Sequence, residues 1–166
     1  MSRVLDRASA LANGLALALA ALMAVLMIAC LCGEVFFRYV LNHSLPWSEE
    51  VALLLFTWAV LLYGAVGVRE GFHVRVSVLV DRLPARARLW LERLILLGIA
   101  AFGVVMIDAG WDMVERNFNQ VAPATRYPLA LLYGAVPAMG ALILLHAAAR
   151  ILQPADIVRD GAVELE

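Results

Sequence analysis

The chain is 166 residues long, 64% hydrophobic and only 16% charged, with a mean hydropathy of +0.86. That is far too apolar for a soluble domain. A formal net charge of −1 leaves no basic face able to hold phosphates, which excludes nucleic acid as a partner.

In chain order, the apolar runs predict an all-α integral membrane protein, one domain of four transmembrane helices. The first span covers residues 11–33, about 23 residues or roughly 34 Å of helix, enough to cross a bilayer core. Arg3 and Arg7 ahead of it also suit a cleavable leader. The run is too long for one and lacks a small-x-small cleavage site, so an uncleaved anchor is expected. Cys30 and Cys32 inside the run point about 200° apart, poorly placed for a disulfide or a metal clip. They read as small apolar residues. Ala12, Ala16, Ala20 and Ala24 form an i, i+4 ridge of small residues, a candidate helix-packing face.

A charged turn, Arg38 to Glu50, separates the first two spans. Glu34 and Arg38 are i, i+4 with the acid N-terminal, the favourable order for a helical ion pair. Asn42 can close that helix in a left-handed conformation. Pro46 and Trp47 shape the turn and anchor it at the interface, Ser48 is expected as N-cap, and Glu49 and Glu50 bring carboxylates to the positive helix end. Such charges can simply cap and tie the two helices, or they can form a partner-docking or cation site. The residues alone leave both readings open.

The second span is predicted at 51–68, with Gly64 a packing candidate. After it, Val76, Leu79, Val80 and Leu83 fall at i, i+3, i+4, i+7, the stripe of a short interfacial helix broken at Pro84. The third span, 90–111, has an uncharged part from Leu94 to Ile107 bracketed by Trp90 and Trp111, about 31 Å apart as interface anchors. Gly98 and Gly103 flank its middle as further packing candidates. Beyond it, Trp111, Val114 and Phe118 share one helical face, and Pro123 and Pro128 impose an extended return. The fourth span, 129–149, carries Pro137, and 153–166 form a tail.

Ten arginines fall at the two termini and between spans two and three, against three in the other two connections. The positive-inside rule therefore predicts both termini in the cytoplasm, with Arg38–Glu50 and Asp108–Pro128 facing outward.

The span centres hold no ionisable residue, whereas a self-contained carrier keeps one near the midplane for its pathway. Matched pairs of broken helices are missing too. Haem in a four-helix bundle needs two histidines at matching depth, yet only His146 lies in a span. No nucleophile comes with a base and an orienting group. The residues predict no catalytic site, no metal and no cofactor.

The run Arg38-Tyr39-x-x-Asn42-x-x-x-x-Trp47-Ser48-Glu49-Glu50 resembles the signature of the small membrane (Q) subunit of tripartite ATP-independent periplasmic (TRAP) transporters. So do Leu62-Tyr63-Gly64-Ala65, Arg69-Glu70-Gly71-x-His73-Val74, Asp81-Arg82-Leu83-Pro84 and the stretch from Tyr127-Pro128 to Pro137-Ala138-Met139-Gly140. The likeness covers roughly residues 11–152, with Asp108–Thr125 the least similar part. It implies a bacterial inner-membrane subunit, in contact with lipid, that binds a large permease subunit. That permease carries the substrate and sodium sites and receives an organic acid from a periplasmic binding protein. The small subunit then braces the fixed scaffold of the permease. A self-sufficient four-helix exporter is the alternative, but it needs a membrane-embedded glutamate in span one, and Glu34 stands at that span's outer end. A quinone- or haem-linked membrane enzyme is the other.

Overall fold

A computed structural model, which describes residues 2–70 and 85–151, consists of α1 (Ser2–Val40), α2 (Pro46–Glu70), α3 (Ala85–Arg116), α4 (Leu129–Tyr133) and α5 (Ala135–Ile151). Among the described residues the only extended pairing is an isolated antiparallel bridge, Val121–Pro128. Four stretches are long and apolar enough to cross a membrane: Asp6–Val40, Pro46–Glu70, Arg93–Arg116 and Leu129–Ile151. All are longer than the apolar runs of the sequence. An apolar window counts only residues that tolerate lipid, whereas backbone hydrogen bonding continues into polar ends where i, i+4 pairs support it. The interfacial helix predicted around Val76–Leu83 and the tail 153–166 lie outside the described residues.

The helices pack in a row, α1 on α2, α2 on α5, and α5 on α3. α2 is therefore the hub. Its middle leaves only a narrow stripe exposed, Leu53, Phe56, Val60 and Tyr63. α1 contributes a seam that alternates in steps of three and four: Asp6, Ser9, Asn13, Ala16, Ala20, Met23, Met27, Cys30 and Glu34 are all buried or half-buried. Such a 3.5-residue repeat keeps one face against a partner through a left-handed supercoil. Ala16 and Ala20 pack against Leu62 and Val66, while Ala12 and Ala24 are half-buried beside the seam. Strict i+4 steps drift about 40° around a helix each time, so an alanine ridge of that spacing leaves the contact line at both ends.

The contact between α3 and α5 depends on small residues. A Cβ on Gly140 would stand 2.7 Å from the Gly103 carbonyl oxygen, and one on Gly110 would stand 2.6 Å from Cδ of Pro137. Only glycine permits that approach of backbones. A Cβ on Gly64 would meet Cε of Met139 at 2.9 Å, whereas Gly98 faces open space. Gly98 therefore takes no part in packing within the chain.

The fourth span is interrupted at Gly134, whose backbone stays right-handed helical (φ −60°, ψ −18°), because Pro137 has no N–H to give to the Tyr133 carbonyl four residues back. Proline lacks an N–H and clashes with the preceding turn, so it is tolerated in the first turn of a helix and not in its interior. The break places Pro137 in that first turn. Trp58 Nε1 donates to the Leu131 carbonyl at 2.9 Å and so ties the break to α2.

Candidate functional site: two polar ends

Polar side chains collect at the two ends of the bundle. At one end, α1 stops where Asn42 adopts φ 51°, which lets His43 N–H return to the Phe37 carbonyl at 3.1 Å. The Phe37 carbonyl already accepts from Leu41 N–H at 3.2 Å, and the second bond closes the helix end. Arg38 Nη2 lies 3.4 Å from Glu34 Oε1 and 3.9 Å from Glu49 Oε1. Glu34 is buried, while the Arg38 and Glu49 side chains are 52% and 68% exposed. Trp47 is 45% exposed beside them.

Two expectations for this turn are corrected. Ser48 is not the N-cap, because α2 begins at Pro46, whose missing N–H costs nothing in a first turn. The buried Ser48 hydroxyl instead donates to the Leu45 carbonyl at 2.7 Å. Glu50 does not join Arg38. Its carboxylate turns to the connection between α3 and α4, accepting the N–H groups of Ala124 and Thr125 at 2.8 Å each and the Thr125 hydroxyl at 2.6 Å. Backbone donors on a loop satisfy a carboxylate more completely than one solvated guanidinium can.

The approach to that loop is helical, as the shared face of Trp111 and Val114 predicts. α3 continues to Arg116, so the predicted outward segment from Asp108 is helical over its first part. Trp111 Nε1 donates to Glu115 Oε1 at 2.7 Å, and Arg116 pairs with Asp112 at 2.7 Å. The chain then turns back through Ala122 N–H to the Tyr127 carbonyl (2.9 Å) and Leu129 N–H to the Gln120 carbonyl (2.9 Å). Arg126 sits at φ 61°, a conformation costing a non-glycine residue about 1–2 kcal/mol. Glu50 thus clamps a loop that holds one strained residue. Burial, and then the Glu50 carboxylate and Tyr133, raise the Tyr127 hydroxyl above the ordinary tyrosine value.

At the other end the polar groups interlock between helices. Arg69 of α2 lies 3.3 Å from Asp6 Oδ1 and donates to the Ser9 hydroxyl oxygen. Ser9 Oγ is 2.8 Å from His146 Nδ1 of α5, and both side chains are fully buried. An arginine can only donate, so the Ser9 hydroxyl oxygen accepts from it while also hydrogen-bonding to Nδ1. Arg150 also reaches across, donating to the Val68 carbonyl at 3.2 Å. Three helices meet at one hydrogen-bonded node.

The sequence reading missed this node. Its signal was the 3-4 spacing, since Asp6, Ser9 and Asn13 continue the line of Ala16 and Ala20. Both ends fasten helices together, and among the described residues no three His, Cys, Asp or Glu side chains could hold a metal.

The family described as tripartite ATP-independent periplasmic transporters, DctQ component, matches residues 27–156. A protein of Haemophilus influenzae assigned as a TRAP transporter small permease is 27% identical over 90% of this chain and 91% of its own length. The C4-dicarboxylate TRAP transporter small permease protein DctQ of Rhodobacter capsulatus is 33% identical over 61% of this chain and 45% of its own. The sialic acid TRAP transporter small permease protein SiaQ of Vibrio cholerae is 33% identical over 58% and 55%. The chain thus spans about half the length of the last two.

Proposed function

Since the chain belongs to the DctQ component family of tripartite ATP-independent periplasmic transporters, a family of permease subunits and not of enzymes, we propose that it braces a large permease subunit during sodium-coupled uptake of an organic acid. The site of this multi-pass protein is the bacterial inner membrane, and a periplasmic binding protein delivers the solute. The observation that carries the bracing role is the distribution of charge. No Asp, Glu, His, Lys or Arg interrupts residues 8–33, 51–68, 94–107 or 129–145, and the polar side chains at the helix ends hold helices to one another and to a loop. A carrier needs polar groups at depth; a brace needs fastened ends. The relatives named for C4-dicarboxylate and sialic acid support a carboxylate as solute.

By the arginine distribution, the Arg69–His146 node faces the cytoplasm and the Glu34–Glu50 turn faces the periplasm. Ser44→Cys in a background lacking Cys30 and Cys32 then reacts with an impermeant thiol reagent added outside, and Ser77→Cys does not. The bracing role is tested in liposomes with a sodium gradient. Uptake is expected only when the large permease and the binding protein are both present with this chain. Reproducible uptake by this chain alone would overturn the proposal.

A further inference from the structure

The outward face of α3 carries a carboxylate where lipid offers it nothing. Asp108 lies within the apolar stretch Arg93–Arg116 and is exposed. Its side chain has no hydrogen-bond or ion-pair partner among the described residues. One turn away on the same face stand Val104, Val105 and Trp111, which are 55%, 62% and 59% exposed. The opposite face of α3 is already taken, because Gly103 and Gly110 press against α5. Asp108 is therefore not pointing into the bundle.

Its depth makes the carboxylate costly. Trp111 is the natural interface anchor of this helix, and Asp108 lies three residues, roughly 4.5 Å, on the membrane side of it. Side chains on a helix lean toward its N-terminus, so this short carboxylate leans away from the nearer water layer. Unlike a lysine or arginine, it has no long stem with which to reach back. The next acid, Asp112, is neutralised by Arg116 at 2.7 Å. Asp108 has no such mate among the described residues.

We infer that this face of α3 docks against a membrane helix of the large permease subunit, and that Asp108 receives a guanidinium or ammonium group from it. The inference rests on the reading above that such a subunit is the partner. Charge complementarity selects the occupant. A second copy inserted in the same orientation and related by a two-fold axis along the membrane normal would bring one Asp108 toward the other, two like charges in a dry layer. A helix bearing a cation turns the same carboxylate into a polar contact that fixes register along an otherwise apolar seam.

The test uses the complete complex, purified through a tag on the large permease, with Asp108→Asn, Asp108→Glu, Asp108→Arg and wild type compared at equal membrane levels of this chain. Asp108→Arg is expected to reduce co-purification roughly tenfold or more, Asp108→Asn less, and Asp108→Glu little, since breaking a desolvated charge pair acts mainly on dissociation. Thermal melting of each variant without the permease is expected to stay at the wild-type value, because Asp108 holds no partner among the described residues. Unchanged co-purification of Asp108→Arg and Asp108→Asn overturns the inference and leaves the partner reading intact. Wild type that fails to co-purify overturns the partner reading itself. If Asp108→Asn keeps the permease but loses bound phosphatidylethanolamine in native mass spectrometry, the carboxylate serves a lipid ammonium and the inference is wrong. A change in oligomeric state of the chain alone overturns it in favour of a second copy.

Discussion

The two ends of the bundle use the same residue types to different effect. At the Arg69 end, arginine, aspartate, serine and histidine from α1, α2 and α5 interlock, with Ser9 and His146 fully buried. At the Arg38 end, the guanidinium is half exposed, touches two carboxylates at 3.4 and 3.9 Å, and has Glu50 turned away from it toward a loop. An exposed ion pair is worth little, whereas a guanidinium that donates to a buried hydroxyl and pairs with a carboxylate leaves both short of a partner when it goes. Equal charges at the two ends therefore do not carry equal weight.

The comparison breaks most readily at the buried end. Arg69→Ala takes a donor from the buried Ser9 hydroxyl and the mate from Asp6 and is expected to cost about 2–3 kcal/mol. That lowers the melting temperature of the purified protein by roughly 5–10 °C. A double-mutant cycle between Asp6→Asn and Arg69→Gln should show coupling of about 1 kcal/mol or more.

Glu50→Gln is expected to act locally at the opposite end. Glutamine keeps one acceptor oxygen and loses the charge, so the hold on Ala124 and Thr125 weakens by about 1 kcal/mol. Strained Arg126 then relaxes, and cleavage at Arg126 by trypsin is expected to accelerate several-fold while the melting temperature shifts little. Equal cleavage rates would mean that the loop stands without its clamp.

The smallest effect belongs to the ion pair that looks most conspicuous in the sequence. Arg38→Gln is expected to change stability by less than about 1 kcal/mol, an amount reduced further by raised salt. A cost equal to that of Arg69→Ala would erase the distinction between the ends.

Alkaline pH sharpens the loop side alone. The Tyr127 hydroxyl has a raised pKa in the folded chain, through burial first and then Glu50 and Tyr133. Its contribution is fully present below the ordinary tyrosine value and is lost as pH rises through the higher folded value. Loop protection from trypsin should therefore fall at high pH in wild type and fall less in Tyr127→Phe.

The four spans were legible because lipid demands long apolar runs, and the end of α1 at Asn42 because few residues tolerate positive φ. Partner choice was not legible. Glu34–Arg38 follows from helical spacing alone, but Glu50 reaching Thr125 depends on how the second pair of spans lies against the first. The same holds for Gly110 and Gly140, ordinary residues in the sequence and obligatory ones where α3 crosses α5. The Arg69 node joins residues 60 and 63 positions apart, beyond any local pattern. Its trace in α1 was a 3-4 spacing masked by so many neighbouring alanines.

The row order of the helices also bears on how the chain assembles. α1 meets its main partner in α2, the next segment synthesised, and α3 meets its own in α5 after one short loop. Each hairpin can close as it leaves the insertion machinery, with little loop-closure entropy to overcome. Every contact of α5, with α3, α2 and α1, and the Arg69–His146 node wait for the last span. That node acts as a late latch, closing when residue 146 arrives and not before.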